Sequence, residues 1–328
     1  MSEGRARGAG LGLALLSAAT FSTSGSFARS LIVAGWSPAA AVTVRIGVAA
    51  LLLAVPAIAS LRGRWHLLRQ DPFALAAYGV VAVAGAQLCF FNAVRHISVG
   101  VALLLEYMGV VLVVGWMWLR HGQRPTRLTA AGSVVAALGL VLVLDLLSDA
   151  RLDPVGVVWG LAASVGLASY FVLSARVASA LPPLVVASAG MTTGALTLLV
   201  LAVLGVLPMR ATFGTVDVAG HRVSWLLPVV GLSVVAAAVA YVAGITAARI
   251  LGPRLASFVS LTEVVFAVLA AWLMLGELPT LMQLGGGVLI VVGVVLVQLD
   301  ETRLDTPIER VVALNVGTVG HSQRPDDA

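Results

Sequence analysis

The chain has 328 residues, of which 60% are hydrophobic and only 11% are charged. Soluble domains have about 45–50% apolar and about 25% charged residues, so this composition excludes an ordinary soluble protein. The formal net charge of +5 comes from 20 arginines and no lysine against 15 acidic residues, without a basic cluster that would suit a nucleic acid. A single cysteine, Cys89, excludes a disulfide scaffold. The composition therefore predicts a membrane protein.

Ten apolar segments that are nearly free of charge follow one another along the chain. A membrane-spanning helix needs about 20 such residues, and unbroken apolar runs indicate helices rather than the alternating strands of a membrane barrel. The predicted helices cover residues 10–31, 38–60, 72–94, 98–119, 127–146, 155–175, 183–206, 225–248, 255–275 and 279–298. The predicted fold class is an all-α integral membrane protein with ten transmembrane helices.

The two ends of the chain are predicted to be cytoplasmic tails, at residues 1–9 and 299–328, and the second is polar enough to be disordered. Arg5 and Arg7 before an apolar run also fit a secretory signal peptide, but uncharged residues continue to Phe27, which favours a permanent first helix. With the N-terminus inside, eleven arginines flank the cytoplasmic helix ends and four or five flank the outer ends. This bias predicts a multi-pass protein of the cell membrane with both termini in the cytoplasm.

The two halves of the chain are similar at an offset of 154 residues. Residues 101–143 and 255–297 share 15 identities in 43 positions, and the most informative matches pair Gly122, Pro125, Gly132, Gly139 and Trp118 with Gly276, Pro279, Gly286, Gly293 and Trp272. The repeats are predicted over 10–146 and 155–298. Because each contains five helices, the second enters the membrane from the opposite side. Two inverted five-helix repeats are a known transporter arrangement, with a binding site near the midplane.

Several motifs also resemble a known family. Leu105-Glu106-Tyr107, the segment 262–267, the segment 275–280 and the glycine run 285–287 resemble the EamA-type repeat of the drug/metabolite transporter (DMT) superfamily, in two copies over residues 10–298. The resemblance implies ten helices, cytoplasmic termini and a carrier, most often an exporter of amino acids, other metabolites or toxic compounds. The family usually has a proline after the glutamate of the ninth helix and at the matching point of the fourth. Val264 and Val110 stand there, so no proline break is expected.

Two glutamates lie inside predicted membrane helices. Glu106 is about 12 Å from the end of the fourth helix, and Glu263 lies at a similar depth in the ninth, from the other side of the membrane. A charge at a helix centre costs at least about 2.5–3.5 kcal/mol, and a carboxyl group there can bind and release a proton during transport. Glu106 is the first candidate for a proton or substrate-amine site and Glu263 the second. For both, a packing role through an interhelical hydrogen bond stays open.

Arg45 is the only arginine well inside a predicted helix, about 10 Å beyond its start at Pro38. Its guanidinium either faces the cavity, where it pairs with Glu106 or binds a substrate carboxylate, or extends to the outer lipid headgroups. The sequence leaves both interpretations open. If Arg45 and Glu106 face one cavity, an amino-acid-like zwitterion is the expected substrate class.

Other polar side chains complete the set of candidates. Tyr107, beside Glu106, is predicted to line the pocket, and Gln87 and Asn92 either contribute to the site or bond between helices. Tyr78, near the end of a predicted helix, is expected to be an interfacial anchor. Glu277, between the last two helices, is expected to support or cap the start of the tenth.

Other function classes lack the residues that they need. Neither H-E-x-x-H nor G-x-S-x-G occurs, the five histidines fall outside the predicted helices, and no phosphate-loop motif is present, so no enzyme activity, metal or cofactor is predicted.

We predict a secondary active transporter that exports a small metabolite, such as an amino acid or related zwitterion, by alternating access, with the proton as candidate coupling ion. The alternatives are an efflux carrier for toxic hydrophobic or cationic compounds and a passive channel or intramembrane scaffold. Its partners would be a small-molecule substrate and the lipid bilayer, not nucleic acid, and either a monomer or a homodimer is compatible with the sequence.

Overall fold

Apolar helices dominate the computed structural model, which describes residues 3–62, 65–69, 71–97, 99–122, 125–143, 153–177, 181–218, 220–275, 280–282, 284–297 and 299–300. Among these residues, six helical stretches are long and apolar enough to cross a membrane: Arg5–Val33, Pro38–Ser60, Pro72–His96, Pro154–Ser174, Pro183–Val203 and Leu226–Ser260. Arg127–Leu142 and Leu284–Val297 are shorter apolar helices. The helical membrane protein is thus confirmed, whereas the inverted arrangement of ten helices stays a prediction.

The helices include long elements and shorter segments that continue one another. Those of the first half are α1 (Glu3–Phe21), α2 (Ser24–Val33), α3 (Pro38–Ser60), α4 (Pro72–Ala77), α5 (Ala86–His96), α6 (Val99–His121) and α7 (Arg127–Val143), with a 3₁₀ helix at Trp65–Arg69. Those of the second half are α8 (Pro154–Val177), α9 (Pro183–Val203), α10 (Leu226–Val230), α11 (Ala240–Ser260), α12 (Thr262–Leu275) and α13 (Leu284–Val297). Between α9 and α10, where no strand was predicted, β1 (Thr215–Val218) and β2 (His221–Ser224) form an antiparallel hairpin.

Polar caps followed by proline set where several helices begin. The Ser37 hydroxyl accepts a hydrogen bond of 3.2 Å from the Ala40 amide at the start of α3, and Asp71 caps α4 in the same way. Asp153 accepts the Val155 amide at 2.9 Å before α8 and contacts His96 at the end of α5 at 3.0 Å. The Val155 hydrogen bond, and then His96, lower the pKa of Asp153 below its usual value. A proline follows each cap, since the first helical position needs no amide donor.

Two π-helical segments interrupt the α-helices at equivalent places in the two halves. Residues Tyr78–Gly85 join α4 to α5, and Gly231–Val239 join α10 to α11. The offset of 154 residues found in the sequence carries 78–85 onto 232–239. Since π-helical turns are rare and often mark functional sites, their recurrence extends the similarity of the halves to an irregular feature of the backbone.

The helical chain from α11 to α12 is interrupted twice, once within α11 and once between the two helices. Gly252 takes φ 79° and ψ 161°, a conformation that glycine tolerates, and so breaks α11 at the predicted joint between the eighth and ninth helices. Further on, the Leu261 amide donates to the Phe258 carbonyl at 3.1 Å and the Val264 amide donates to the Leu261 carbonyl at 3.2 Å. This second interruption lies directly before Glu263. Val264 stands where the family pattern has a proline, so the interruption of the helix does not require a proline.

The two halves pack closely against each other. Helix α1 contacts α11, α8 contacts α5 and α6, and α3 contacts α9. Glycines bring α7 and α13 together: a Cβ atom on Gly139 would lie 2.6 Å from the Gly286 carbonyl oxygen, and one on Gly293 would lie 2.7 Å from the Gly132 carbonyl oxygen. Small residues of this kind let membrane helices approach backbone to backbone.

We expect Gly139→Ala to lower the melting temperature of the detergent-purified protein. The added methyl group would meet two main-chain atoms, the Gly286 oxygen at 2.6 Å and the Ile290 nitrogen at 2.7 Å, which cannot move unless α13 shifts. Overpacking of this kind costs typically about 1–3 kcal/mol.

The matched control is Gly115→Ala in α6, where no atom lies within 4 Å of the new methyl group. Alanine is the better helix former by up to about 1 kcal/mol, so this variant should be as stable as the wild type or more stable. Equal melting temperatures for the two variants would contradict close packing of α7 on α13.

Candidate functional site

A cavity of about 620 Å³ lies between helices of both halves. Binding sites for small organic molecules have volumes of about 300–1,000 Å³. Four of the six predicted site residues line the cavity: Gln87, Glu106, Tyr107 and Glu263. The two glutamates, which the sequence places at similar depths from opposite sides of the membrane, reach the same cavity.

Glu106 and Glu263 reach the cavity from opposite halves but have different surroundings. Glu106, in the middle of α6, is 9% exposed. Among the described residues, the charged groups that act on it are Glu263 and Arg45, and neither donates a hydrogen bond to it. Glu263 lies in the first turn of α12 and interacts with the Tyr107 hydroxyl, and a carboxylate near a helix N-terminus is favoured by the helix dipole. Glu106 is therefore the less restrained of the two carboxyl groups.

Tyr107 links the two halves beside these carboxyl groups. Its ring is 3% exposed, and its hydroxyl donates a 3.1 Å hydrogen bond to the Ser260 carbonyl oxygen. That carbonyl lies at the end of α11, next to the interruption at Leu261. Tyr107 lines the cavity. Its hydrogen bond also attaches it to the second half, which the sequence did not indicate.

Arg45 lies behind the cavity wall and is 1% exposed. One terminal nitrogen, Nη1, donates to the Ser24 hydroxyl at 2.9 Å and to the Gln87 side-chain oxygen. The other, Nη2, donates to the carbonyl oxygen of Ala236, in the π-helical segment of the second half. The guanidinium therefore neither extends to lipid headgroups nor lines the cavity, so both interpretations made from the sequence are corrected.

Aromatic rings complete the surroundings of the Arg45 guanidinium. Its central carbon lies 5.9 Å from the ring centroid of Phe21 and 5.8 Å from that of Phe91, within the range of cation–π attraction. Ser24, Gln87 and Phe21 all line the cavity. Arg45 consequently positions the cavity wall through the residues that it contacts, and its charge acts on Glu106 from behind that wall.

Two other side chains considered in the sequence analysis, Asn92 and Tyr78, do not reach the cavity. Asn92 donates to the Leu88 carbonyl of its own helix at 2.8 Å and is not among the lining residues. Tyr78, expected to be an interfacial anchor, is 0% exposed and packs its ring 6.2 Å from that of Tyr170, so that expectation is wrong. Glu277 lies outside the described residues, and its capping role stays a prediction.

Sequence analysis identified the tyrosines of the lining, Tyr107, Tyr170 and Tyr241, but missed its serines and phenylalanines. Ser17 of α1 donates to the Ala240 carbonyl at 2.8 Å, across the two halves. The rings of Phe21 and Tyr241 are 5.1 Å apart, and those of Tyr170 and Tyr241 are 5.5 Å apart. Serine and phenylalanine are common in membrane helices, so their type carries no signal, and only the packing shows which of them face inward.

The β-hairpin lies at the mouth of the cavity. Exposed Arg29 of α2 and Asp217 of β1 both line it there. The segment before the hairpin is attached to the joint between α2 and α3: the Trp36 Nε1 donates to the Thr212 carbonyl at 2.8 Å, and the Ser37 hydroxyl donates to the Pro208 carbonyl at 2.6 Å. These bonds attach the segment before the hairpin to the first half of the chain.

Comparison with known proteins places this cavity in a transporter. The sequence model of the EamA-like transporter family matches residues 8–145 and again residues 154–299. The chain belongs to the EamA-like transporter family. The uncharacterized inner membrane transporter YicL of Salmonella typhimurium is 26% identical over 238 residues, which are 72% of this chain and 76% of that protein. This family is one of membrane transporters, so the cavity is the candidate site for a transported small molecule.

A solved crystal structure agrees with the fold. It superposes with a TM-score of 0.71 at 22% sequence identity and covers 90% of this chain and 99% of its own. Similarity at this level of identity concerns the arrangement of the helices alone. It places the described helices in a fold that has been observed experimentally.

We expect Arg45→Met to destabilise this member of the EamA-like family. Ser24, Gln87 and Ala236 would each lose a donor, and a buried polar group left without its partner costs about 1–3 kcal/mol. Arg45→Lys should recover only part of the loss, because an ammonium group cannot reproduce the planar fork of the guanidinium.

The measurement is the melting temperature of the purified protein in one detergent. Arg29→Met, which removes an exposed arginine at the cavity mouth, is the matched control and should melt with the wild type. If Arg45→Met also melts with the wild type, the positioning role of Arg45 is wrong.

Proposed function

We propose that this protein is a secondary active transporter that carries a small molecule through the cavity by alternating access. The observation that carries the proposal is the pair of membrane-embedded carboxyl groups, Glu106 and Glu263, which reach one cavity from opposite halves. Ionisable groups inside a membrane are costly and mark substrate or proton pathways. Since the sequence has no nucleotide-binding motif, an ion gradient is the energy source that the chain can use.

The architecture that we propose is the ten-helix arrangement of two inverted repeats. A two-fold relationship would bring equivalent elements of the halves together, and α3 contacts α9 while α7 contacts α13. The matching π-helical segments at 78–85 and 231–239 support the same relationship. Rocking of the two halves about a site between them is the usual mechanism for such a fold.

The membrane placement follows from the arginine bias and from the relative. We propose a multi-pass protein of the cytoplasmic membrane with both termini inside, because arginines are concentrated at the helix ends on that side. The relative YicL is named as an inner membrane transporter. In this orientation the joint at Trp36, and with it the hairpin at the cavity mouth, faces the outside of the cell.

Glu106 is the group that we assign to proton exchange. Glu263 interacts with Tyr107 and begins a helix, whereas the Glu106 carboxyl faces the cavity without a hydrogen bond from the described residues. A carboxyl group with no fixed partner can bind either a proton or a positively charged part of a substrate. Exchange of one for the other would couple proton entry to export.

A passive channel is the competing function for the same cavity. It would need no proton exchange, and its flux would not depend on the protonation of Glu106. Channels commonly select ions with rings of charge assembled from several subunits. The pairing of carboxyl groups from two halves of one chain favours the carrier.

We expect overproduction of the wild-type protein to raise the extracellular concentration of at least one small metabolite severalfold relative to cells that lack the gene. Glu106→Gln should abolish this increase, because the amide cannot take up and release a proton. A broad extracellular metabolite profile of the three strains measures both effects for any metabolite that the protein exports. A protonophore should abolish wild-type export as well.

The matched control is Asp71→Asn, which also converts an acid to its amide but at an exposed helix cap outside the cavity. Asparagine caps a helix as well as aspartate does, so its export should equal that of the wild type. Export by Glu106→Gln at the wild-type rate would contradict the role of Glu106. Export that persists with the protonophore would favour the channel.

A further inference from the structure

We infer that the cavity selects an organic cation, a protonated amine on an aromatic or apolar body, in preference to a zwitterion or an anion. This inference rests on the proposed transport function and names its substrate class. The sequence had favoured an amino-acid-like zwitterion on the condition that Arg45 and Glu106 share the cavity. The structure does not meet that condition, since Arg45 is absent from the lining.

The charges at the cavity surface match an amine and not a carboxylate. Glu106 and Glu263 face the cavity, and Glu106 is more than nine-tenths buried with no hydrogen bond from the described residues. The terminal nitrogens of Arg45 donate to Ser24, Gln87 and Ala236 instead. Among the described lining residues the basic side chain is Arg29, which is exposed at the mouth beside Asp217. A substrate carboxylate deep in the cavity would therefore meet two acids and no accessible cation.

The charged groups around Glu106 also set the charge of the ligand. Those that act on it are Glu263 and Arg45. With both glutamates ionised and Arg45 protonated, this group of three carries two negative charges and one positive charge. An uncompensated charge away from water is strongly unfavourable. One proton or one monovalent cation restores neutrality, so the two can replace each other at Glu106. A zwitterion, which carries no net charge, would leave the excess in place.

The aromatic walls suit the body of such a ligand. Phe21, Phe90, Tyr170 and Phe171 line the cavity together with Tyr107 and Tyr241. Tyr170 packs edge-on against Phe171 at 5.0 Å and against Tyr241 at 5.5 Å, which holds the rings in place. Aromatic faces bury apolar groups and attract organic cations. Carboxyl groups among aromatic rings form a site for an amine with a flat apolar body.

The test compares three probes with the same phenyl body and different charge: 2-phenylethylamine, phenylalanine and 3-phenylpropionate. Binding of each to the purified full-length protein is measured by equilibrium dialysis near neutral pH, where the amine is protonated. We expect the amine to bind about tenfold or more tightly than phenylalanine, a difference that a single charge contact can supply. The phenylpropionate should not bind measurably.

Variants identify the carboxyl group responsible. Glu106→Gln should weaken amine binding about tenfold, and Glu263→Gln, which keeps a hydrogen-bonding side chain beside Tyr107, should weaken it as well. Asp71→Asn, outside the cavity, should bind as the wild type does. If Glu106→Gln fails to fold, as judged by size-exclusion chromatography, Glu263→Gln decides whether the carboxyl groups recognise the amine.

The results separate this inference from the proposed transport. Phenylalanine or phenylpropionate binding as tightly as the amine, no binding of any of the three probes, or unchanged amine binding in the folded carboxyl variants would overturn the ligand class. Metabolite export that depends on Glu106 could still be observed in that case, and the transport function would stand. Preferential amine binding by a protein that exports nothing would instead overturn transport and leave the ligand class intact.

Discussion

The burial of one guanidinium group constrains the centre of the molecule. Arg45 is out of reach of water, so its hydrogen bonds have to go to protein groups, and Ser24, Gln87 and Ala236 accept from its two terminal nitrogens. These partners belong to α2, to α5 and to the π-helical segment of the second half. The contact therefore fixes three elements around α3, and it holds the guanidinium behind the wall while the carboxyl groups of Glu106 and Glu263 face the cavity.

Backbone irregularity and small residues make the rest of this arrangement possible. The π-helical segments recur in the two halves, and the interruption at Leu261 precedes Glu263 in the sequence. Glycines let α7 and α13 meet backbone to backbone, because no hydrophobic force holds helices together within lipid and close contact must do so instead. Close packing of α7 on α13 and irregular helical segments thus accompany a cavity that is lined by both halves.

The candidate site was only partly predictable from the sequence. Glu106, Glu263, Gln87 and Tyr107 stand out as polar residues in apolar segments, and all four line the cavity. Asn92 has the same appearance in the sequence but bonds to its own helix. Arg45 was identified as important, yet its position behind the wall changes the inferred ligand from a zwitterion to a cation.

Hydrophobicity by itself determined that the chain is a helical membrane protein and where its apolar helices lie, because transfer of a segment into lipid depends on composition and length. The tertiary structure decided which polar side chains share the cavity. The membrane helices are apolar on every side, so no polar stripe marks their inward face. The rotation of each helix is set by contacts with residues distant in the chain, such as Arg45 with Ala236 and Tyr107 with Ser260, and only packing brings these together.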